Sequence, residues 1–267
     1  MSFNVNLLPR MELFGRNNII ATNNLLRWIN LGIGDDSNVS LGTLSQVHFD
    51  TTLIGYNVAI GYENQYYNEN GQFNVSMGYG SMMGADIDDF DESTYTGTDS
   101  NIAIGYLCMQ YVGNDANNNV LIGTNCGKAT FLNKFVGDSN VYIGDSSGLI
   151  NTSGSSNVGM GFENLYSNTT GSQNVAIGYQ CLYSNVTNSN SVGMGYQCLY
   201  SNTANDNVAI GYQCAYYNTN GTGNVAIGYQ AMIGNANFSS VRFNVVIGYQ
   251  SGLYIKTGAF NNVYIGY

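Results

Sequence analysis

One short line recurs down this chain: Val or Ile, any residue, then Ile, Leu or Met, then Gly. The Gly stands at Gly42, Gly61, Gly78, Gly105, Gly123, Gly144, Gly161, Gly178, Gly195, Gly211, Gly228, Gly248 and Gly266. Successive steps are 19, 17, 27, 18, 21, 17, 17, 17, 16, 17, 20 and 18 residues, so the base period is 17 and longer steps mark grown loops. Apolar positions two apart over so short a run signal a strand; a helix needs them three and four apart. One short strand per repeat cannot bury its own apolar face, so the copies must stack into a parallel ladder with a continuous core. At roughly 4.8 Å per rung the rod is about 60 Å long. The expectation is an all-β chain, a parallel β-solenoid of about 13 coils over residues 38–267.

Each column of the repeat has a physical reading. The Gly permits a positive φ or a close backbone approach where the chain leaves the strand. Four residues before it, twelve of thirteen copies carry Asn, Ser191 being the exception. Two readings stay open there: a ladder of stacked amides, or Asn chosen for its turn conformation. Three residues after the Gly stand Cys108, Cys126, Cys181, Cys198 and Cys214, replaced in other copies by Ser, Asn or Ala. That column reads as small, buried, structural thiols, with a disulfide or a metal as the alternative. Tyr follows the Gly in most copies and returns five residues after it at Tyr66, Tyr166, Tyr183, Tyr200 and Tyr216. These files read as stacks that bind neighbouring coils, with sugar stacking as the alternative. Two residues before the Gly, small side chains recur (Ala59, Ser76, Ala103, Gly159, Ala176, Gly193, Ala209, Ala226). They lie opposite the Val and Ile columns, and the expectation is that they let three rolls pack around a shared axis.

Composition narrows the function. Gly at 34 residues, one Pro and 9% charged residues suit short strands and many turns, while 44% hydrophobic residues supply a core. Net charge is −10 with only seven Lys and Arg, unclustered, which argues against nucleic acid and anionic membranes as partners. The opening residues hold no uninterrupted apolar core, and no run is long enough to span a bilayer, so synthesis in a cytosol is expected. A single His, His48, leaves one candidate base and no supporting motif, so no enzyme is expected. A six-residue apolar period, a phosphate loop and a calcium nonapeptide are all absent from the sequence. The 27-residue step holds Asp86, Asp88, Asp89 and Asp91, weak candidates for Ca²⁺ beside the commoner reading of a solvated acidic loop. No other cofactor is expected. Residues 1–37 fall outside the repeat and carry the only Pro and Trp, Pro9 and Trp28; they read as a cap or docking segment.

The line "NVAIGYQCLY", with a small residue three after the Gly, resembles the head repeats of YadA-like trimeric adhesins over residues 38–267. Similar repeats occur in tail and capsid fibres of phages and large viruses. The resemblance implies a left-handed parallel β-roll assembled as a parallel homotrimer. No stalk or anchor pattern is present, which turns the expectation toward a virion-surface fibre that attaches to a host glycan or protein receptor. In that reading residues 1–37 join it to a virion or tail component. The alternative is the head of a bacterial trimeric autotransporter adhesin on a cell surface; a carbohydrate-active or ice-binding solenoid is a remoter one.

Overall fold

The structure is a computed structural model describing residues 38–45, 55–66, 71–84, 97–234, 241–253 and 255–267, with the backbone of three short strands before them. Of those three, β1 (Met11–Phe14) and β2 (Asn18–Ala21) pair antiparallel, and β3 (Ile29–Leu31) lies antiparallel to β4 (Val39–Leu41). From β4 on, every strand pairs in parallel with its sequence neighbour, so thirteen parallel strands, with β3 antiparallel at one edge, make one fourteen-stranded sheet. They continue as β5 (Val58–Tyr62), β6 (Val75–Tyr79), β7 (Ile102–Tyr106), β8 (Val120–Ile122), β9 (Val141–Ile143) and β10 (Val158–Phe162). The series ends with β11 (Val175–Tyr179), β12 (Val192–Tyr196), β13 (Val208–Tyr212), β14 (Val225–Ile227), β15 (Val245–Ile247) and β16 (Val263–Ile265).

Register follows the repeat: Val158 stands opposite Val175, Met160 opposite Ile177, and Phe162 opposite Tyr179. The all-β, parallel solenoid expected from the 17-residue period is therefore what the chain forms, with no helix among the described residues. All thirteen repeat glycines have φ between +119° and +145°. At Gly178 an added Cβ would lie 2.0 Å from the carbonyl oxygen of Gly195 one coil on. Left-handed conformation and backbone crowding thus coincide, and both require Gly.

One expectation is inverted. The residue two before the Gly points into the coil: Ala59, Ala103, Ala176, Ala209 and Ala226 are fully buried. The flanking Val and Ile columns turn outward and are half-buried or exposed. The small residues do not line a shared axis between rolls. They fill the narrow space between the sheet and the turn that closes the same coil, which a full strand of large side chains would overfill.

That turn adds large side chains to the core through the residue four after the Gly. Leu165, Leu182, Leu199 and Met232 are there, all fully or almost fully buried and all at φ of 52–54°. A left-handed Leu costs about 1–2 kcal/mol on its own. Hydrogen bonds between coils offset it: Leu182 N–H donates to the Cys198 carbonyl at 3.0 Å, and Leu199 N–H to the Cys214 carbonyl at 3.0 Å.

Candidate functional site

Side-chain files run along the solenoid wherever one residue type recurs, and they divide into interior ladders and outer surfaces. The Asn column resolves as a ladder. Each Asn Oδ1 accepts the backbone N–H of the Asn one coil on: Asn157 from Asn174 at 2.9 Å, Asn140 from Asn157 at 3.0 Å, Asn119 from Asn140 at 2.8 Å. The Nδ2 groups close the neighbouring turn, as Asn157 does on the Gly171 carbonyl at 2.8 Å. Ser191 interrupts the file, and there the Asn207 N–H reaches the hydroxyl at 3.3 Å.

A second amide ladder escapes the sequence reading. Asn168, Asn185, Asn202 and Asn218 each donate to the Oδ1 of the Asn one coil back, from 2.9 to 3.2 Å. Its signal was present, since these residues all lie seven after a repeat Gly. Burial of Asn168 and Asn185 also removes both as acceptors of an N-linked glycan in the folded chain. A third ladder lies nearer the surface, running from Glu163 through Gln180, Gln197, Gln213, Gln230 and Gln250.

The Cys column proves to be a donor column. Cys198 Sγ donates to the Gly211 carbonyl at 2.9 Å and Cys181 Sγ to the Gly195 carbonyl at 3.2 Å. In other coils Ser81 Oγ and Asn164 Nδ2 donate to the same carbonyl of the next repeat Gly, at 3.0 and 2.7 Å. All five thiols are free and buried. Burial pushes Cys214 up to about 12 and Cys126 well above its ordinary value, so both stay protonated near neutrality.

Two surfaces face outward. The first is the pair of apolar files before the Gly, with Met77, Met160 and Ile210 each 37–38% exposed. The second is aromatic. Phe162, Tyr179, Tyr196, Tyr212, Tyr229, Tyr249 and Tyr267 stack with centroids 4.9–5.3 Å apart. Beside them Tyr166, Tyr183, Tyr200 and Tyr216 stack at 4.8–5.0 Å. Interplanar angles of 1–19° turn each ring toward its neighbours in the file. Sugar stacking, which needs a free ring face, is correspondingly restricted along the files.

Among the described residues, no group of three or more His, Cys, Asp and Glu is placed to hold a metal ion. Asp86, Asp88, Asp89, Asp91 and His48 lie outside the described residues, as does most of the segment 1–37. Compared with protein-family models, curated proteins and solved structures, the chain matches none.

Proposed function

We propose that the chain is the shaft or head of an elongated, non-enzymatic fibre, a parallel homotrimer on a virion surface that mediates attachment to a host. One observation carries this reading: on all thirteen strands the two apolar columns that flank the inward position face outward, half-buried or exposed. The inward position itself is mostly Ala, Gly or Ser, with Leu121, Tyr142, Val246 and Tyr264 as the larger exceptions. A monomeric soluble protein rarely leaves so long an apolar stripe in water. The stripe is roughly 13 Å wide and about 58 Å long at the usual strand dimensions. That is about the 800 Å² per partner of a standard stable interface. Identical rungs repeat along it, so copies can join in parallel with every rung meeting its own kind.

The chemistry of the remaining surface suits a passive shaft presenting contacts: ordered ladders, few charges and rigid turns. The repeat's resemblance to bacterial adhesin heads supports the alternative, a cell-surface head, on the same assembly face. Host receptors in either case are glycans or proteins. Sedimentation equilibrium tests the assembly directly. Ile177→Lys with Met194→Lys places two charges in the stripe, outside the coil's interior. A trimer that dissociates to folded monomers in this variant is the expected result; an unaltered chain that sediments as a monomer overturns it. Binding to immobilised glycans then separates a receptor-binding head from a shaft.

A further inference from the structure

The five cysteines are not scattered along their column. Cys108 and Cys126 occupy consecutive coils, and Cys181, Cys198 and Cys214 occupy three more in succession. The inter-coil bonds fix this adjacency: Met109 N–H donates to the Cys126 carbonyl at 2.8 Å, Leu182 N–H to Cys198 and Leu199 N–H to Cys214, both at 3.0 Å. Every thiol therefore has another thiol one strand spacing away, pointing the same way from an equivalent backbone.

That spacing selects its chemistry. In-register parallel strands hold equivalent side chains about 4.8 Å apart. A disulfide needs Cβ atoms about 3.5–4.5 Å apart and sulfurs at about 2.05 Å, whereas equivalent Cβ atoms pointing the same way one rung apart stay about 4.8 Å from each other, which disfavours that bond. Two metal–thiolate bonds of about 2.3 Å laid end to end span about 4.6 Å, one rung. Thiolates also favour soft ions over hard ones. We propose that consecutive cysteines of this column, Cys108 with Cys126 and Cys198 with either neighbour, form linear two-sulfur sites for a soft closed-shell cation of the Cu⁺ or Ag⁺ type. On binding, each thiol releases its proton to solvent and each sulfur supplies an electron pair to the ion. Two protons leave per ion bound, and no electron is transferred. The thiols are buried, so the ion enters through local opening of the turn that follows the repeat Gly.

The column itself provides the controls. Ser stands at this place in Ser45, Ser81, Ser147 and Ser251, and its hydroxyl bonds the next coil as the thiols do: Ser45 and Ser81 donate to the next repeat Gly at 3.1 and 3.0 Å. Ser147 and Ser251 donate to the carbonyls of Gly159 and Tyr264, two residues before it, at 3.0 and 3.4 Å, as Cys126 does to Tyr142 at 3.1 Å. Cys→Ser variants therefore keep the fold, which circular dichroism verifies. Ag⁺ is titrated into the native full chain and counted by native mass spectrometry and near-ultraviolet thiolate absorption. The unaltered chain takes up at least two ions. Cys198→Ser leaves Cys181 and Cys214 two coils apart, beyond the reach of one ion, and uptake falls to one. Cys181→Ser removes one thiol as well but leaves Cys198 beside Cys214, and uptake stays at two. Equal uptake by the two variants would show that thiol number, and not adjacency, governs binding and overturns the proposal. Failure of the unaltered chain to bind Ag⁺ overturns it too.

Discussion

Tyr142 and Gly148 face each other across the inside of one coil: a Cβ built on Gly148 would stand 2.5 Å from the Tyr142 ring. The pairing is general. Where the residue two before the Gly is large, the residue four after it is Gly, as in Leu121 with Gly127 and Val246 with Gly252. Where the first is Ala or Gly, the second is mostly large, as in Ala176 with Leu182 and Gly193 with Leu199. The coil interior keeps its volume while its contributors trade size.

This exchange predicts a coupled pair of substitutions. Gly148→Leu alone drives a side chain into the Tyr142 ring and destabilises the chain by about 3 kcal/mol, at the upper end of overpacking costs. Tyr142→Ala alone leaves a cavity and costs about 3–5 kcal/mol. Together they recreate the coil built by Ala176 and Leu182, and chemical denaturation finds most of the loss recovered. Additive losses in the double variant sink this account.

Gly159 and Gly193 sit in the same interior column and yet should respond differently to Ala. At Gly159 the new Cβ would meet Ser147 Oγ at 2.5 Å and the Tyr142 ring at 2.9 Å. At Gly193 the nearest atom is the Cys198 carbonyl oxygen at 3.2 Å, with Cys181 Cβ at 3.4 Å. Gly193→Ala is expected to be neutral or to stabilise by up to about 1 kcal/mol through lower unfolded-state entropy. Gly159→Ala is expected to destabilise by about 1–3 kcal/mol. Thermal melts of the two variants side by side decide it.

Much of this was legible beforehand, because a strict period turns each column into a statement about one place in the fold. Strand positions, the parallel register and the positive φ of the repeat Gly all follow from "NVAIGY" recurring every 17 residues. Inside and outside were not legible in the same way. Alternation separates Val175 and Ile177 from Ala176, but only the narrowness of the coil, closed by the Leu182 turn, decides that Ala176 faces in. The size exchange between Tyr142 and Gly148 was hidden too. It spans six residues and joins two columns that look unrelated until the turn folds back on the strand.

Two positions, one in the inward strand column and one in the amide ladder, carry local defects that substitution should repair. Ser76 Oγ is buried without a hydrogen-bond partner, in a column that elsewhere accepts Ala. Ser76→Ala removes that unsatisfied group and is expected to raise stability by about 1 kcal/mol. Ser191→Asn completes the amide file between Asn174 and Asn207 and is expected to add about 1 kcal/mol. Urea midpoints that fall in either variant contradict the assignment.

Alkaline pH should loosen the solenoid through its buried thiols. Cys214 is held protonated up to about 12 by burial, whereas in the unfolded chain it loses its proton near its ordinary value of 9.0. Between those values the unfolded state binds fewer protons than the folded one, so stability falls as pH rises and is fully present below about pH 9. One such group contributes a slope of about 1.4 kcal/mol per pH unit across that window. Cys214→Ser keeps the small donor in the column and removes the titration. Urea unfolding at pH 8, 9, 10 and 11 should therefore show a shallower decline in the variant than in the unaltered chain, with the two curves converging on a constant offset below pH 9. Parallel curves throughout would mean that the Cys214 thiol ionises alike in both states.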